Sequence, residues 1–347
     1  MKRIKKIIKI LQCVNCSGDL KLEKNKLVCN SCKEIYPIVN EIPRFVDKSY
    51  YNLSEINKSN EEKIKNYFGW EWDIYKDWGF VKEKDLKDLK DLKDDEKIEW
   101  KIGGGTVKSR KSAFKSKCQL TEYDLKNSSI ILDAGCGNGR YTFEAAVNTK
   151  NIIIGVDLAY GAVNSAYENT KNLDNVIIIQ ASLFNLPFKN NTIDACFSNG
   201  VLHFTGNAHR AFNEVCRTMK GRGIFVAHII HKLNPIWQLN DYLIRKYTAR
   251  CSINQLMGFA RKMSNFAKIV QKRNPSILNF LNYFFRLQPT VHHMYDWYCA
   301  PVISYHTYPE VEGWFKENSF NIIKTQKPPK IYFIKRPWAL NIKGQKL

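Results

Sequence analysis

The sequence predicts an α/β protein built on a doubly wound, mostly parallel sheet. From Ile130 onward, short β-branched apolar runs alternate with segments of helical periodicity. A glycine-rich turn, "LDAGCGNGR", sits where the first run becomes a helix. Upstream, four cysteines in two C-x-x-C pairs set a small module apart at the N-terminus.

In order, "SIILDAG" reads as a buried strand, "GRYTFEAAVNT" as a helix, "NIIIGVD" as a second strand and "YGAVNSAYENTKN" as a second helix. "NVIIIQAS", "TIDACFSNG" and "GIFVAHII" supply three more strands, with "HRAFNEVCRTM" as a helix between the last two. A chain that alternates in this way places its ligand at the carboxyl ends of the strands. Helix-leaning sequence rich in basic and aromatic side chains interrupts the pattern at 232–294. Thr307 to Glu310 then spells a capping box opening "VEGWFKEN". "FNIIKT" and "KIYFIKR" read as a closing edge hairpin.

The expected organisation is a cysteine module over 1–48, a mostly helical connector over 49–128, a core over 129–231, a helical lid over 232–294 and the rest of the core over 295–347. The connector holds the aromatic run "YFGWEWDIYKDWGF" and then "KDLKDLKDLKDD", in which Leu86, Leu89 and Leu92 recur every three residues. That period drifts around a helix, so the run is expected to be a solvated helix or loop.

The 347 residues, 44% hydrophobic and 13% aromatic, support a packed globule. No stretch approaches the ~18 consecutive apolar residues of a membrane-spanning helix. The start "MKRIKKIIKILQC" is too charged for a signal sequence, so a cytoplasmic protein with reduced cysteines is expected. The net charge of +21 is uneven: residues 231–347 hold 18 basic and 5 acidic side chains, and residues 131–230 are nearly neutral. Such asymmetry suits a phosphate-bearing partner or an anionic membrane surface.

Cys13, Cys16, Cys29 and Cys32 give C-x2-C-x12-C-x2-C, a spacing diagnostic of a zinc ribbon. Four thiolates leave no position for water, so this predicts structural Zn2+ rather than catalysis. With its trailing "YPIVNEIPRFV", the module resembles the small zinc-ribbon domain that activates tRNA and release-factor methyltransferases, and that also occurs fused to methyltransferases.

A dinucleotide site would want G-x-G-x-x-G, but counting from Gly135 and Gly137 the third position is Arg140. Here the sequence resembles the class I S-adenosylmethionine-dependent methyltransferases, whose first motif is an acidic residue followed by G-x-G-x-G. Asp133, Gly135, Gly137 and Gly139 match it position for position. Asp157, with Leu158 beside it, matches the acidic end of the second strand that binds both ribose hydroxyls in that family. "QASLFNLPFKNNTIDACFSNGVLHF" resembles the segment from the third strand through the fourth. The resemblance implies adenine contacts from Ser182, which stands where many members have Asp, and from the Leu183 amide. It places Asn199 at the methionine part of the cofactor and implies a Rossmann-like sheet of seven strands.

Methyl transfer is an in-line displacement, so positioning and desolvation dominate, and a base is needed only for a protonated nucleophile. No catalytic residue is identified. His203, His228, His231, His292, His293, Asp296 and Trp297 are the candidates for lining a substrate pocket, with local structural roles as the alternative. The favoured acceptor is a small molecule or biosynthetic intermediate, a lipid or sugar among them. RNA or protein acceptors and peripheral membrane contact are the alternatives, and so is a non-catalytic binding module on the same fold.

Overall fold

The structure, a computed structural model, describes residues 2–46, 60–82, 85, 106–232, 234–326 and 339–347. The repeat containing Leu86, Leu89 and Leu92 lies outside these residues.

Two sheets form. The N-terminal one orders four short antiparallel strands as β1 (Leu20–Glu23), β2 (Lys26–Cys29), β3 (Ile35–Val39) and β4 (Ile42–Pro43). The main sheet comprises β5 (Ile130–Ala134), β6 (Ile152–Asp157), β7 (Val176–Gln180), β8 (Ile193–Asn199), β9 (Met219–Ile230), β10 (Phe320–Gln326) and β11 (Ala339–Lys346). Their order is β10-β11-β9-β8-β5-β6-β7. Pairings from β9 through β7 are parallel, and β11 runs antiparallel to both its neighbours. The central strands are buried on both faces, with Ile131, Leu132, Ile153, Ile154, Cys196 and Phe197 fully inside, which is why they read as continuous apolar runs.

One expected element changes. "FNIIKT" does form β10, but "KIYFIKR" falls outside the described residues, and the hairpin partner is "ALNIKGQK". β11 hides in the sequence because its alternate positions are polar. Asn341 donates from Nδ2 to the carbonyls of Ser116 and Lys117, and Lys343 is buried against Asp124 at 2.6 Å. The capping box is as expected: the Glu310 amide donates to Thr307 Oγ1 and the Thr307 amide to Glu310 Oε2.

The cysteine module is built into the main sheet. Its backbone continues past β7, where the Phe45 amide donates to the Gln180 carbonyl and Arg44 bridges in parallel to Gln180. The Arg44 side chain is fully buried and donates to Gln180 Oε1 and Asn164 Oδ1. Leu11 forms an antiparallel bridge with Phe188. The basic N-terminus forms a short helix, Lys2–Ile7, whose Ile4 and Ile7 join Leu11, Ile177, Leu186 and Phe188 in one continuous hydrophobic cluster.

A helix from the connector, Asn60–Ile74, crosses the helix Tyr160–Thr170 at close range. Gly161 permits this: a Cβ there would lie 2.0 Å from the Gly69 carbonyl oxygen. Ser165 Oγ donates to the Trp72 carbonyl beside the crossing. Gly161→Ala is therefore expected to cost about 1–3 kcal/mol by forcing the helices apart. Urea unfolding would measure this, and a change within a few tenths of a kcal/mol would contradict the tight crossing.

Candidate active site

The turn after β5 is wound by three residues in the left-handed region: Gly135 (φ 91°), Gly137 (φ 52°) and Gly139 (φ 79°). A Cβ on Gly135 would collide with Val201 at 2.3 Å, and one on Gly137 would come within 3.0 Å of the Trp72 ring. The turn is fastened to β6, since the amides of Gly135 and Cys136 both donate to the Val156 carbonyl.

At the end of β6, Asp157 accepts from the Gly137 amide at Oδ2 and from the Ala159 amide at Oδ1, each at 3.0 Å. Burial pushes its carboxyl above the usual range, and these amides pull it back toward ionisation. Each oxygen keeps a further lone pair, which is what a vicinal diol requires.

Asp157, Gly135, Gly137, Leu158, Ser182, Leu183 and Asn199 all line one cavity of about 670 Å3, within the ~300–1,000 Å3 typical of ligand sites. Asn199 Oδ1 is buried with no hydrogen-bond partner among the described residues, an acceptor suited to a ligand ammonium group. Ser182 Oγ accepts from the Phe184 amide at 3.2 Å.

Asp133 and Gly139 stand behind the cavity wall. Gly139 begins the helix Arg140–Val147, and a Cβ there would meet Ala166 at 2.9 Å. Asp133 is buried and accepts a 2.6 Å hydrogen bond from Thr142 Oγ1. Burial pushes its carboxyl up to about 7, reinforced by the charge of Asp157. A carboxyl raised on folding stabilises most below its unfolded value and loses that contribution as pH rises through about 7. Asp133→Asn should therefore gain stability over wild type by roughly 2–4 kcal/mol between pH 4 and pH 8. Thermal melts across that range would test this, and a pH-independent difference would contradict it.

The far wall of the cavity carries His203, His228, His292, His293, Asp296 and Trp297, whereas His231 sits outside it, bridged to His306. His203 is buried and accepts from the Ile230 amide at Nδ1, so its neutral ring carries the hydrogen on Nε2. Burial holds it well below the ordinary histidine range and pushes His228 down to about 3. His292 Nε2 lies 2.8 Å from Oε1 of the fully buried Glu71. Burial drives the Glu71 carboxyl well up and the His292 imidazole well down, disfavouring the charged form of each.

The contribution of the connector was not visible in the sequence. Ile64, Lys65, Phe68 and Trp72 line the cavity, with Glu71 behind them. The aromatic run was the available signal. Its second half is held to the glycine turn by Asn138, whose Nδ2 donates to the carbonyls of Lys76 and Trp78.

The four module cysteines bring their Sγ atoms within 4.8 Å of one another. Cys13 to Cys32 is 3.6 Å and Cys16 to Cys29 is 3.5 Å, close to the ~3.8 Å that tetrahedral bonds of ~2.3 Å imply. The Tyr36 hydroxyl lies 3.0 Å from Cys13 Sγ, an outer-shell contact of the kind that orients a ligand. None of residues 2–46 lines the cavity. The other six cysteines are buried thiols.

Residues 125–278 match the family described as Methyltransferase domain, and residues 5–41 match the Trm112p-like protein family. An uncharacterized chloroplastic methyltransferase of Arabidopsis thaliana is 26% identical over 137 residues, 37% of this chain and 38% of that protein. An uncharacterized protein of Methanocaldococcus jannaschii is 29% identical over 126 residues, 36% of this chain and 46% of its own length. The tRNA (carboxymethyluridine(34)-5-O)-methyltransferase of A. thaliana is 31% identical over 102 residues, 28% of this chain and 23% of that enzyme. The chain thus spans less than half the length of these curated relatives. The match over the glycine turn and the strands beside it, joined to the match over the cysteines, shows a methyltransferase domain in residues 125–278 and a Trm112-like domain, with its four-cysteine cluster, at the N-terminus.

Proposed function

We propose that the protein transfers a methyl group from S-adenosylmethionine to a small organic acceptor. The observation that carries this is the single cavity that joins the glycine turn and Asp157 on one wall to His203, His292 and Asp296 on the other. One cavity can hold cofactor and acceptor side by side, which in-line displacement requires.

S-adenosylmethionine supplies an electrophilic methyl group on a positively charged sulfur. Asp157 would accept hydrogen bonds from the ribose diol, and Asn199 Oδ1 from the ammonium end. Ser182 and Leu183 would border the adenine. Asp133 and Gly139 support this wall from behind. The acceptor side is mainly aromatic, with Phe68, Phe204 and Trp297, and burial favours the neutral form of its histidines. His203 Nε2–H would orient an acceptor heteroatom, while the aromatic wall excludes water.

In this reading residues 1–48 form the ribbon, 129–231 and 295–347 the catalytic core, and 232–294 the lid. The connector, 49–128, supplies part of the pocket. Cys13, Cys16, Cys29 and Cys32 would hold a structural Zn2+, and the protein works in the cytoplasm. The relative that acts on tRNA favours a second reading, an RNA acceptor.

Transfer of labelled methyl groups into fractionated cell extract would test this. Label in small metabolites or lipid is expected, and label in RNA or protein would replace this acceptor class. Absence of calorimetric heat with S-adenosylmethionine would leave a binding module in its place.

A further inference from the structure

The helix Pro235–Thr248 is turned inside out. Its inward face carries Trp237, Asp241, Arg245 and Thr248, all buried. Asp241 accepts from Arg245 Nε and from Trp297 Nε1, each at 2.7 Å, and also from the Tyr305 hydroxyl. Arg245 donates onward to the Ala300 carbonyl at 2.8 Å. This buried polar network fixes which side of the helix faces the core.

The outward face is apolar. Ile236, Leu239, Leu243 and Tyr247 recur at helical spacing and, with Tyr242, are each more than half exposed. The next two helices, Ile253–Arg273 and Pro275–Leu281, add exposed Phe266, Ile269, Ile277 and Phe280. Nine of the sixteen large hydrophobic residues exposed among the described residues thus fall within 235–281. Exposed apolar side chains are concentrated in this segment of the chain. Asn234 and Asn240 donate from their side-chain amides to the carbonyls of Tyr283 and Phe284, which binds the first helix to the end of the third. Phe280 packs on Phe284 with ring centroids 5.3 Å apart.

The exposed charges that the segment itself carries are of one sign. Residues 235–281 hold eight Lys and Arg and one acidic residue, Asp241, which is buried in the network above. Lys246, Arg250, Arg261, Lys262, Lys272 and Arg273 are exposed in the same segment as the apolar side chains. A second copy of the chain seated here would set cations against cations. A nucleic acid would pair with the cations and gain nothing from Ile236, Leu239 and Leu243. An anionic bilayer satisfies both, because its headgroups meet Lys and Arg while its acyl boundary takes up the aliphatic and aromatic side chains. The segment also leads directly to the pocket: Arg286, two residues beyond Phe284, lines the cavity and stacks over Trp297, 4.3 Å from the ring centroid.

We propose that the outward face of residues 235–281 is a docking surface for an anionic lipid bilayer, from which a membrane-borne, largely apolar acceptor reaches the aromatic side of the cavity. The acceptor part of this proposal rests on the methyltransferase reading; the docking part does not.

The test uses the full chain and vesicles of phosphatidylcholine with or without phosphatidylglycerol, read by flotation. Binding to the anionic vesicles is expected, weakening as salt rises. The triple variant Ile236→Ser, Leu239→Ser, Leu243→Ser should lower it about tenfold or more. Lys246→Gln with Arg250→Gln should lower it about fivefold per cation removed. Calorimetric binding of S-adenosylmethionine by each variant controls for folding, since these residues lie outside the pocket. Failure of the wild type to bind the cofactor strikes the methyltransferase reading and leaves the docking result standing. No flotation of the wild type at low salt would overturn the proposal. So would flotation unchanged in the triple serine variant, self-association abolished by that variant, or salt-sensitive binding to bulk RNA without flotation.

Discussion

Asp157→Ala is expected to weaken S-adenosylmethionine binding by about 100-fold or more. Two effects combine. The variant loses a carboxylate placed to accept two hydrogen bonds from a diol, and charge-assisted hydrogen bonds are worth about 1.5–3 kcal/mol each. It also strands the Gly137 and Ala159 amides, which now donate to that carboxylate at 3.0 Å. Losing the Gly137 anchor frees a turn whose geometry depends on positive φ, so the pocket loses shape as well as charge. Asp157→Asn, which keeps one acceptor oxygen, should fall between. Isothermal calorimetry would decide, and near-wild-type affinity in the alanine variant would refute a diol contact at Asp157.

Preventing metal binding at the four cysteines is expected to have an effect as large on stability. A structural Zn2+ contributes about 10–16 kcal/mol to a small zinc domain. In many proteins that loss would stay local. Here the ribbon shares one hydrophobic cluster with the sheet, in which Leu11, Leu20 and Leu27 pack in continuity with Ile177, Leu186 and Phe188. Cys13→Ser or treatment with a strong chelator should therefore lower the unfolding midpoint of the main sheet and its helices. Elemental analysis should find one zinc per chain, and calorimetric scans should show one transition shifting as a unit. A core transition that stays in place while the ribbon melts would show that the ribbon is energetically separate.

This coupling changes what a deletion can report. Removing residues 1–46 would uncover the β7 edge and strip Ile4, Ile7 and Leu11 from the core, so lost activity would follow from lost folding. Point variants on the exposed side of the ribbon separate the two.

The sequence announced the parallel strands and the glycine turn because each element there obeys a local rule: continuous apolar runs, helical periodicity, and glycine where φ is positive. It concealed parts that depend on distant partners. Asn341 and Lys343 make β11 look like a solvated tail until Ser116, Lys117 and Asp124 are placed against them. Glu71 and Trp72 belong to a segment whose own pattern gives no reason to meet the glycine turn. They reach it because Gly161 lets its helix approach the backbone of Gly69 closely. The helix 235–248 resembled any amphipathic helix, and its spacing does not tell which stripe faces the core. The Asp241–Arg245 network settles that.

The pairing of the ribbon on the β7 edge has a further consequence. Both partners belong to one polypeptide, so the contact of Phe45 with Gln180 has no dissociation constant, only an intramolecular closure governed by effective concentration. Specific activity should then stay constant on dilution, to protein concentrations at which two separate chains joined along such an edge would come apart.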